Sequence, residues 1–171
     1  MVKNKSLIID FTLGNGSFFL ILDKKTFVKK IKNLDKTEKL PLIFFDFFKK
    51  KKLKLDKSFV IYVNVGPGHI ISIRNSIVLS KIISLVFGCK LLAFNNFDLL
   101  NVKKYKKAKA LIALKNQNIL LNMKNKNITK IKTEHLGKFK NYKSNLELNI
   151  KDLKFLLSKN RFAKKIVPIS F

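Results

Sequence analysis

Residues 59–94, FVIYVNVGPGHIISIRNSIVLSKIISLVFGCKLLAF, decide the fold of this chain. The first seven are mostly β-branched or aromatic and nearly all apolar, which is typical of a strand covered on both faces. The turn Gly66-Pro67-Gly68 ends that run, and from Ile70 the apolar period lengthens to that of a helix. Gly88 stands where a helix C-terminus favours a left-handed residue, and residues 91–94 form a second apolar strand. The pattern predicts a β-α-β crossover and therefore a partly parallel sheet.

The N-terminal residues add a three-stranded antiparallel meander to this unit. Short apolar runs over residues 6–10, 17–23 and 26–31 are separated by turns. Asp10 ends the first run and faces a turn containing Gly14 and Gly16. A strand-end carboxylate beside a glycine-rich turn is a candidate phosphate or metal site, because the turn backbone allows an anion to approach closely. The alternative is that Asp10 caps its own turn.

Two helices carry more apolar surface than a small domain needs. The first begins near Leu40 with LPLIFFDFFKKKK, where apolar side chains surround most of the helix. In the second, Ile71, Val78, Leu79, Ile82, Leu85 and Val86 share one broad side, which we predict to lie on the sheet. A ridge of serines four residues apart lies beside this apolar side. The ridge either faces solvent or lets another helix pack closely against α-helical backbone at these small residues. The predicted partner-binding residues are Leu42, Phe44, Phe45, Phe48, Ser72, Ile73, Ser76, Ile77, Ser80 and Ser84.

The composition changes after Asn101, and we predict two lobes, residues 1–101 and a smaller one over residues 102–171. The second lobe opens with the basic connector VKKYKKAK. Strands are predicted at residues 108–114, 118–123 and 128–131, with a weaker one at 146–150. A short helix is predicted at residues 152–157, and a terminal edge strand at 166–169, where Pro168 lacks a backbone donor.

The net charge of +27 favours a polyanionic partner, because clustered lysines gain affinity by neutralising phosphates. Only Arg74 and Arg161 are arginine, however, and the chain is equally rich in Asn, Ile and Phe. All of these residues have A/T-rich codons, so codon bias explains the lysines equally well. Cys89 is the one cysteine, which excludes a disulfide framework and fits a reducing compartment. With no signal-peptide pattern and no uninterrupted membrane span, we expect a cytoplasmic protein that does not enter a membrane.

The order of these elements resembles the TsaB (YeaZ) family. The family's N-terminal IDTS motif corresponds to Ile9-Asp10-Phe11-Thr12, and its GPGSFTGLR motif corresponds to residues 66–74. Gly66, Pro67, Gly68 and Arg74 match this second motif, whereas His69 and Ile71 replace hydroxyl residues. Residues 38–42, with Glu38, Leu40 and Pro41, are similar to the start of the family's first helix. Residues 87–93 resemble the family's link from this helix into its next strand, and residues 167–169 are similar to its terminal strand. The resemblance covers residues 5–100 and more weakly the remainder.

The resemblance implies an actin-like (ASKHA, ribonuclease-H-like) fold with a reduced second lobe. It further implies a non-catalytic subunit for synthesis of threonylcarbamoyladenosine (t6A) in tRNA, without a cofactor. The implied partners are a TsaD-like catalytic subunit and a TsaE-like ATPase, with tRNA reached through the complex. Contact with TsaD resembles a four-helix packing through the helices at 40–51 and 69–87, which are the helices singled out above. The exposed apolar helix pair also leaves a homodimer open when the chain is alone.

Two other functions stay open from the residues alone. The lysine-rich surface fits a stand-alone RNA-binding protein. Asp10 with Gly14 and Gly16 fits a small actin-fold phosphotransferase, although the chain has no clear catalytic set among its acidic residues and two histidines. His69 follows the Gly-Pro-Gly turn, where it either caps the helix or takes part in chemistry.

Overall fold

The computed structural model describes residues 5–23, 25–31, 39–103, 105–114, 117–144, 146–158 and 162–169. The strands are β1 (Lys5–Asp10), β2 (Gly16–Leu22), β3 (Lys25–Ile31), β4 (Phe59–Asn64), β5 (Lys90–Phe94), β6 (Lys109–Ala113), β7 (Asn118–Asn122) and β8 (Ile128–Ile131). The helices are α1 (Leu40–Lys50), α2 (Ile70–Phe87), α3 (Asn96–Val102), a 3-10 helix (Thr133–Tyr142) and α4 (Ile150–Ser158). The proposed helix-start residue Glu38 lies outside the described residues.

A five-stranded mixed sheet forms the centre of the molecule, in the order β3-β2-β1-β4-β5. The first three strands pair antiparallel, with Leu7 opposite Leu20, which confirms the predicted meander. β4 pairs parallel to both β1 and β5. The β-α-β crossover is therefore confirmed, and Gly88 ends α2 in the left-handed conformation as expected.

The two faces of this sheet carry two separate hydrophobic clusters. Leu7, Ile9 and Ile61 point to one face and pack with α1 and α2. Ile8 and Phe19 alternate to the other face, where α3, α4 and the second sheet cover them. The central sheet is therefore buried on both sides, which explains its nearly continuous apolar strands.

The second sheet has the order β6-β7-β8, close to the three predicted strands. Its inner side chains share a cluster with Ile8 and Phe19 of the central sheet. Residues 146–150 are not a strand, because Leu146 and Leu148 enter that cluster from a loop that leads into α4. The predicted terminal strand is also wrong, since residues 166–169 form no strand. In the described part of the tail, Ala163 makes an isolated bridge to Ala93 of β5, and Ile169 N–H donates to Val65 O at 2.8 Å.

The predicted orientation of α2 is wrong, because the helix turns the opposite side to the sheet. Ser72, Ser76 and Ser80 are fully buried, as are Ile73, Ile77 and Ile83. The side chains predicted to meet the sheet, except for Leu79, are instead exposed: Ile71, Val78, Ile82, Leu85 and Val86. Small serines let the helix axis approach the sheet closely, and this explains why the serine side is the inner one.

Candidate functional site

An exposed apolar surface on α1 and α2 is the most unusual feature of the molecule. We call it the helix face, and it comprises Leu42, Phe45, Ile71, Val78, Ile82, Leu85 and Val86. Leu85 is 85% exposed, Leu42 69% and Val86 65%. α1 packs beside α2, and Phe45 of α1 lines the same cavity as Phe87 at the end of α2, which brings the two helices' outer sides together. An apolar surface of this kind marks an interaction site more often than a solvated one.

A shallow cavity of about 320 Å³ opens where the two helices meet. Phe45 and Phe48 of α1 and Phe87 at the end of α2 line it, together with Leu53 and Leu55 of the following loop. The lining is almost entirely apolar, and it has the size of a pocket for one large side chain. Such a pocket is the usual receptor for a buried anchor residue of a partner protein.

Basic side chains surround the helix face. Arg74 and Lys81 are exposed on α2, and Lys49 and Lys50 are exposed at the end of α1. Asp46 is the one acidic residue on α1, and α2 has none. The face therefore combines an apolar centre with a positive rim.

Most of the predicted partner-binding residues lie inside the chain's own core. Phe44, Phe48, Ser72, Ile73, Ser76, Ile77 and Ser80 are buried, whereas Leu42 and Phe45 are exposed. Ser84 is half-buried and donates its hydroxyl to Cys89 O at 2.6 Å. The buried positions other than Phe48, which lines the cavity, are a correction to the predicted face, since they cannot contact a partner while the helices stay packed on the sheet.

The buried serines satisfy their hydroxyls within α2. Ser76 Oγ donates to Ser72 O at 2.7 Å, and Ser80 Oγ donates to Ser76 O at 2.6 Å. Bonds of this kind to the carbonyl four residues earlier let a hydroxyl enter an apolar contact without remaining unpaired. The serine ridge is therefore a packing device of the chain itself.

The Gly-Pro-Gly loop, Gly66, Pro67 and Gly68, is held by a network of buried amides. Asn64 Oδ1 accepts from Gly66 N–H at 3.0 Å, and Asn64 Nδ2 donates to Asn96 Oδ1 at 2.8 Å. Asn96 Nδ2 in turn donates to Pro67 O at 2.6 Å. Both asparagines are fully buried, so the network fixes the loop in a single position.

Gly68 is needed because the chain crosses the turn after β1 at this point. A Cβ added at Gly68 would lie 2.1 Å from Thr12 O, which is a main-chain atom that cannot move alone. The next residue, His69, donates its backbone N–H to that same oxygen at 2.7 Å. The two family-like motifs, residues 9–12 and 66–74, therefore meet in space. Arg74, the last residue of the second motif, is exposed on α2.

His69 is the N-cap of α2, as one of its two predicted roles requires. Its Nδ1 lies 2.9 Å from Ser72 Oγ and accepts from Ser72 N–H at 3.4 Å. A side-chain acceptor at this position satisfies a backbone donor that the first helical turn leaves unpaired. This accounts for the histidine without assigning it a chemical step.

Asp10 caps its own turn and lines a cavity. Its Oδ1 accepts from Thr12 N–H at 3.1 Å and from Thr12 Oγ1 at 2.9 Å, as the capping alternative predicts. Burial raises the pKa of the Asp10 carboxyl, while the hydrogen bonds from Thr12 and Asn64 oppose that rise. The cavity, of about 370 Å³, lies between β2, β3 and the loop before α4, and Gly16 also lines it. Gly14 belongs to the same turn, in the left-handed conformation.

Lys30 and Glu147 close this cavity with an ion pair of 2.7 Å. Lys30 is the one basic residue among those that line the cavity, and its pairing with Glu147 leaves no unpaired cation in that lining for a phosphate. Within the described ranges, no three His, Cys, Asp or Glu side chains are grouped as metal ligands. The phosphate or metal site predicted around Asp10 therefore has no support from the geometry.

The asparagine pair is the part of the site that sequence reasoning missed. Asn64 ends β4 and Asn96 follows β5, and these two strands are parallel neighbours. Polar residues at the carboxyl ends of adjacent parallel strands meet at one edge of a sheet, and this signal was present in the sequence.

α2 is long and apolar enough, by length and composition, to cross a membrane, and 39% of its residues are buried inside the fold. Its inner side packs on the central sheet through Ile73, Ile77 and Ile83. This arrangement fits a core helix of a soluble protein.

Comparisons with known proteins give a fold but no sequence relative. No protein-family model matches the chain, and no curated protein matches its sequence. Among solved structures, YeaZ from Pseudomonas aeruginosa is similar with a TM-score of 0.66 and 11% identity, over 98% of this chain and 100% of that one. A second structure, described as an uncharacterized protein from Pseudomonas aeruginosa with similarity to peptidase YeaZ, gives the same TM-score and identity over 98% and 99% of the chains.

These neighbours share the chain's fold from end to end. Each alignment spans nearly all of this chain and of the solved structure, so it gives no sign that the second lobe of this chain is shortened. The structural similarity covers nearly the whole chain, whereas the resemblance in sequence motifs is clearest over residues 5–100.

Proposed function

We propose that this chain is a non-catalytic subunit of the machinery that makes t6A in tRNA, and that it binds a TsaD-like catalytic subunit through the helix face. The observation that carries the proposal is the apolar surface on α1 and α2, in a fold similar to YeaZ. An actin-like classification is part of the proposal. The sheet order β3-β2-β1-β4-β5, with a meander followed by parallel strands, supports it.

Burial of the helix face supplies the binding energy in this proposal. Each large apolar side chain contributes about 1.5–3 kcal/mol when it moves fully out of water. Leu85, Val86 and Leu42 are the most exposed members, so they gain most from a partner. The cavity lined by Phe45 and Phe87 then receives one anchor side chain of that partner.

The positive rim determines what kind of surface fits. A partner with an apolar centre and an acidic rim pairs with Arg74, Lys81, Lys49 and Lys50. A second copy of this chain presents the same basic rim, so like charges oppose the homodimer at low salt. The rim therefore favours a different protein as the partner over self-association.

The role we propose is stabilisation of the partner's active conformation, in the cytoplasm, with a TsaE-like ATPase joining the complex. A subunit of this kind needs no reacting group of its own. His69 and Asp10, the two candidates for chemistry, both serve as local caps, and this supports a non-catalytic role.

The test is co-expression of this chain with the TsaD-like protein of the same genome, followed by size-exclusion chromatography and a tRNA modification assay. Ile82→Glu on the helix face is compared with Ile150→Glu, because both side chains are about half exposed and Ile150 belongs to the opposite side of the molecule. We expect co-elution and modification with the wild type and with Ile150→Glu, and loss of both with Ile82→Glu. Separate elution of the wild-type proteins would refute the proposal.

A further inference from the structure

A second surface, on the far side of the central sheet, carries an excess of positive charge. Residues 102–171 contain 19 basic and three acidic side chains. This charge repels itself in the folded lobe, whether codon bias or selection for a basic surface produced it. One local concentration lies on the 3-10 helix and the residue after it, with Lys138, Lys140 and Lys143.

The 3-10 helix crosses the outer face of the second sheet. It starts after β8 at one edge, and Lys143 bridges to Leu111 of β6 at the other. Leu111 and Leu120 lie on this outer face and are nevertheless buried. The helix therefore covers the sheet, although none of its own side chains is fully buried.

The periodicity of the helix separates its apolar and basic side chains. In a 3-10 helix, residues three apart lie on the same side. Leu136, Phe139 and Tyr142 follow this spacing and are all half-buried. Lys138, Lys140 and Lys143 occupy the other rows and are all exposed.

The charge on the outward rows has no acidic partner among the residues that the structure describes. Glu134 is the acidic residue of the helix, and its Oε1 lies 3.8 Å from Lys132 Nζ and 3.7 Å from His135 Nε2. Across the described parts of the chain, none of Lys138, Lys140 and Lys143 forms an ion pair with an acidic side chain. The three ammonium groups are therefore available to phosphates.

The helix is also firmly attached, which favours a binding role over a passive loop. Tyr105 donates its hydroxyl to Tyr142 O at 2.9 Å, and Ser144 Oγ donates to Leu111 O at 2.9 Å. Lys107 donates to Asn141 O at the same end. A surface that is already ordered loses less entropy when a ligand binds.

We propose that this basic-aromatic surface, formed by Lys138, Lys140, Lys143, Phe139 and Tyr142, binds single-stranded nucleic acid. The lysines neutralise successive phosphates, and the partly exposed aromatic rings stack on unpaired bases. Phe139 and Tyr142 are both only partly buried, and their ring centroids lie 6.5 Å apart with the rings tilted by 45°.

This surface goes beyond the proposed function, and the fold allows both sites to act together. The helix face lies over the cluster that contains Ile9, whereas the second sheet covers the opposite face of the central sheet around Ile8. A protein partner on one side therefore leaves the other side accessible to nucleic acid.

The test measures binding of the purified full chain to a labelled 20-nucleotide single-stranded RNA, to DNA of the same sequence, and to the matching RNA duplex. The triple variant Lys138→Gln, Lys140→Gln, Lys143→Gln is compared with Lys29→Gln, Lys57→Gln, Lys90→Gln, in which three exposed lysines elsewhere are neutralised. Both variants lose the same net charge, so the comparison distinguishes a localised binding site from attraction by the overall positive charge of the chain. Thermal melting checks that each variant is folded.

We expect the triple variant of the surface to weaken single-strand binding at least tenfold and to lower the salt dependence by about two units in the log–log slope. The control triple changes affinity less than threefold. Phe139→Ala weakens binding of the single strand at least fivefold and changes binding of the duplex little, because only unpaired bases stack on the ring. Tighter binding of either single strand than of the duplex supports the inference.

Equal losses in the two triple variants would overturn the inference, as would no binding at 50 mM salt. Duplex binding that matches single-strand binding in every variant would overturn it as well. The experiment uses the chain without a protein partner, so its failure leaves the co-elution test of the helix face unaffected.

Discussion

The orientation of α2 predicts a large loss of stability for one substitution and a small loss for the substitution next to it. Ile77 is 4% exposed and packs toward the central sheet, whereas Val78 is 55% exposed on the helix face. We therefore compare Ile77→Glu with Val78→Glu. Both replace a β-branched side chain in the middle of the same helix by the same acid, and only the environment differs.

The magnitudes follow from burial. Ile77→Glu loses about 2–3 kcal/mol of apolar burial. Keeping the new carboxyl neutral in an apolar contact at pH 7 costs about 3–4 kcal/mol more, since its pKa must rise by roughly three units. The total, about 5–7 kcal/mol, is comparable with the whole stability of an ordinary domain. Val78→Glu loses less than half of a valine's burial, about 1 kcal/mol, and gains a few tenths from the better helix propensity of glutamate.

The assay is urea unfolding followed by circular dichroism. With an m-value of about 2 kcal/mol per molar, Val78→Glu lowers the midpoint by no more than about 0.5 M, and Ile77→Glu lowers it by more than 2 M or prevents folding. The opposite order, with Val78→Glu unfolded and Ile77→Glu native, would refute the packing described here. It would restore the orientation predicted from the sequence pattern.

Three further substitutions test the interior of the site. Burial raises the pKa of Asp10, so its ionised form destabilises the fold; this penalty is absent well below pH 3.8 and complete once the pH exceeds the raised pKa. Asp10→Asn should therefore gain stability relative to the wild type as the pH rises from 4 to 7, as melting at several pH values will measure, and a difference independent of pH would contradict this cause. Asn96→Ala leaves Pro67 O and Asn64 Nδ2 without their partners; the expected loss is about 2–4 kcal/mol in urea unfolding, and a change below about 0.5 kcal/mol would mean that the network is not needed. Gly68→Ala forces a Cβ against Thr12 O, so we expect a loss above about 2 kcal/mol, whereas Gly137→Ala, where nothing lies within 4 Å, should change stability little.

The central sheet was predictable because its signals are local. Alternating and continuous apolar runs, the Gly-Pro-Gly break and Gly88 each depend on a few neighbouring residues. The meander, the crossover and both long helices follow from these signals, and their observed bounds lie close to the predicted ones.

The orientation of α2 was not predictable in the same way, because both of its sides are apolar. Hydrophobicity ranked Ile71, Val78, Ile82, Leu85 and Val86 as the inner side, since serine is the more polar residue. The helix instead buries its serines, whose hydroxyls bond to backbone carbonyls one turn earlier. Close approach to the sheet outweighs side-chain polarity here, and only the packed structure makes that visible.

The shorter elements escaped prediction for different reasons. α3 follows directly from β5 through the capping box of Asn95 and Asp98, a local signal that was overlooked. The 3-10 helix has few apolar residues and is held by Tyr105 and Ser144 from outside it, so its sequence alone does not predict it. Leu146 and Leu148 alternate like a strand, but their role is to fill the cluster under the second sheet.

The most direct test of the central claim is site-specific photo-crosslinking in cells that also express the TsaD-like protein. A photoreactive phenylalanine analogue in place of Leu85 reports contacts of the most exposed helix-face side chain. The same analogue in place of Ile150 reports the opposite side of the molecule. The account predicts a crosslink to the TsaD-like subunit from position 85 and none from position 150. No crosslink from position 85, or equal crosslinks from both positions, would contradict it.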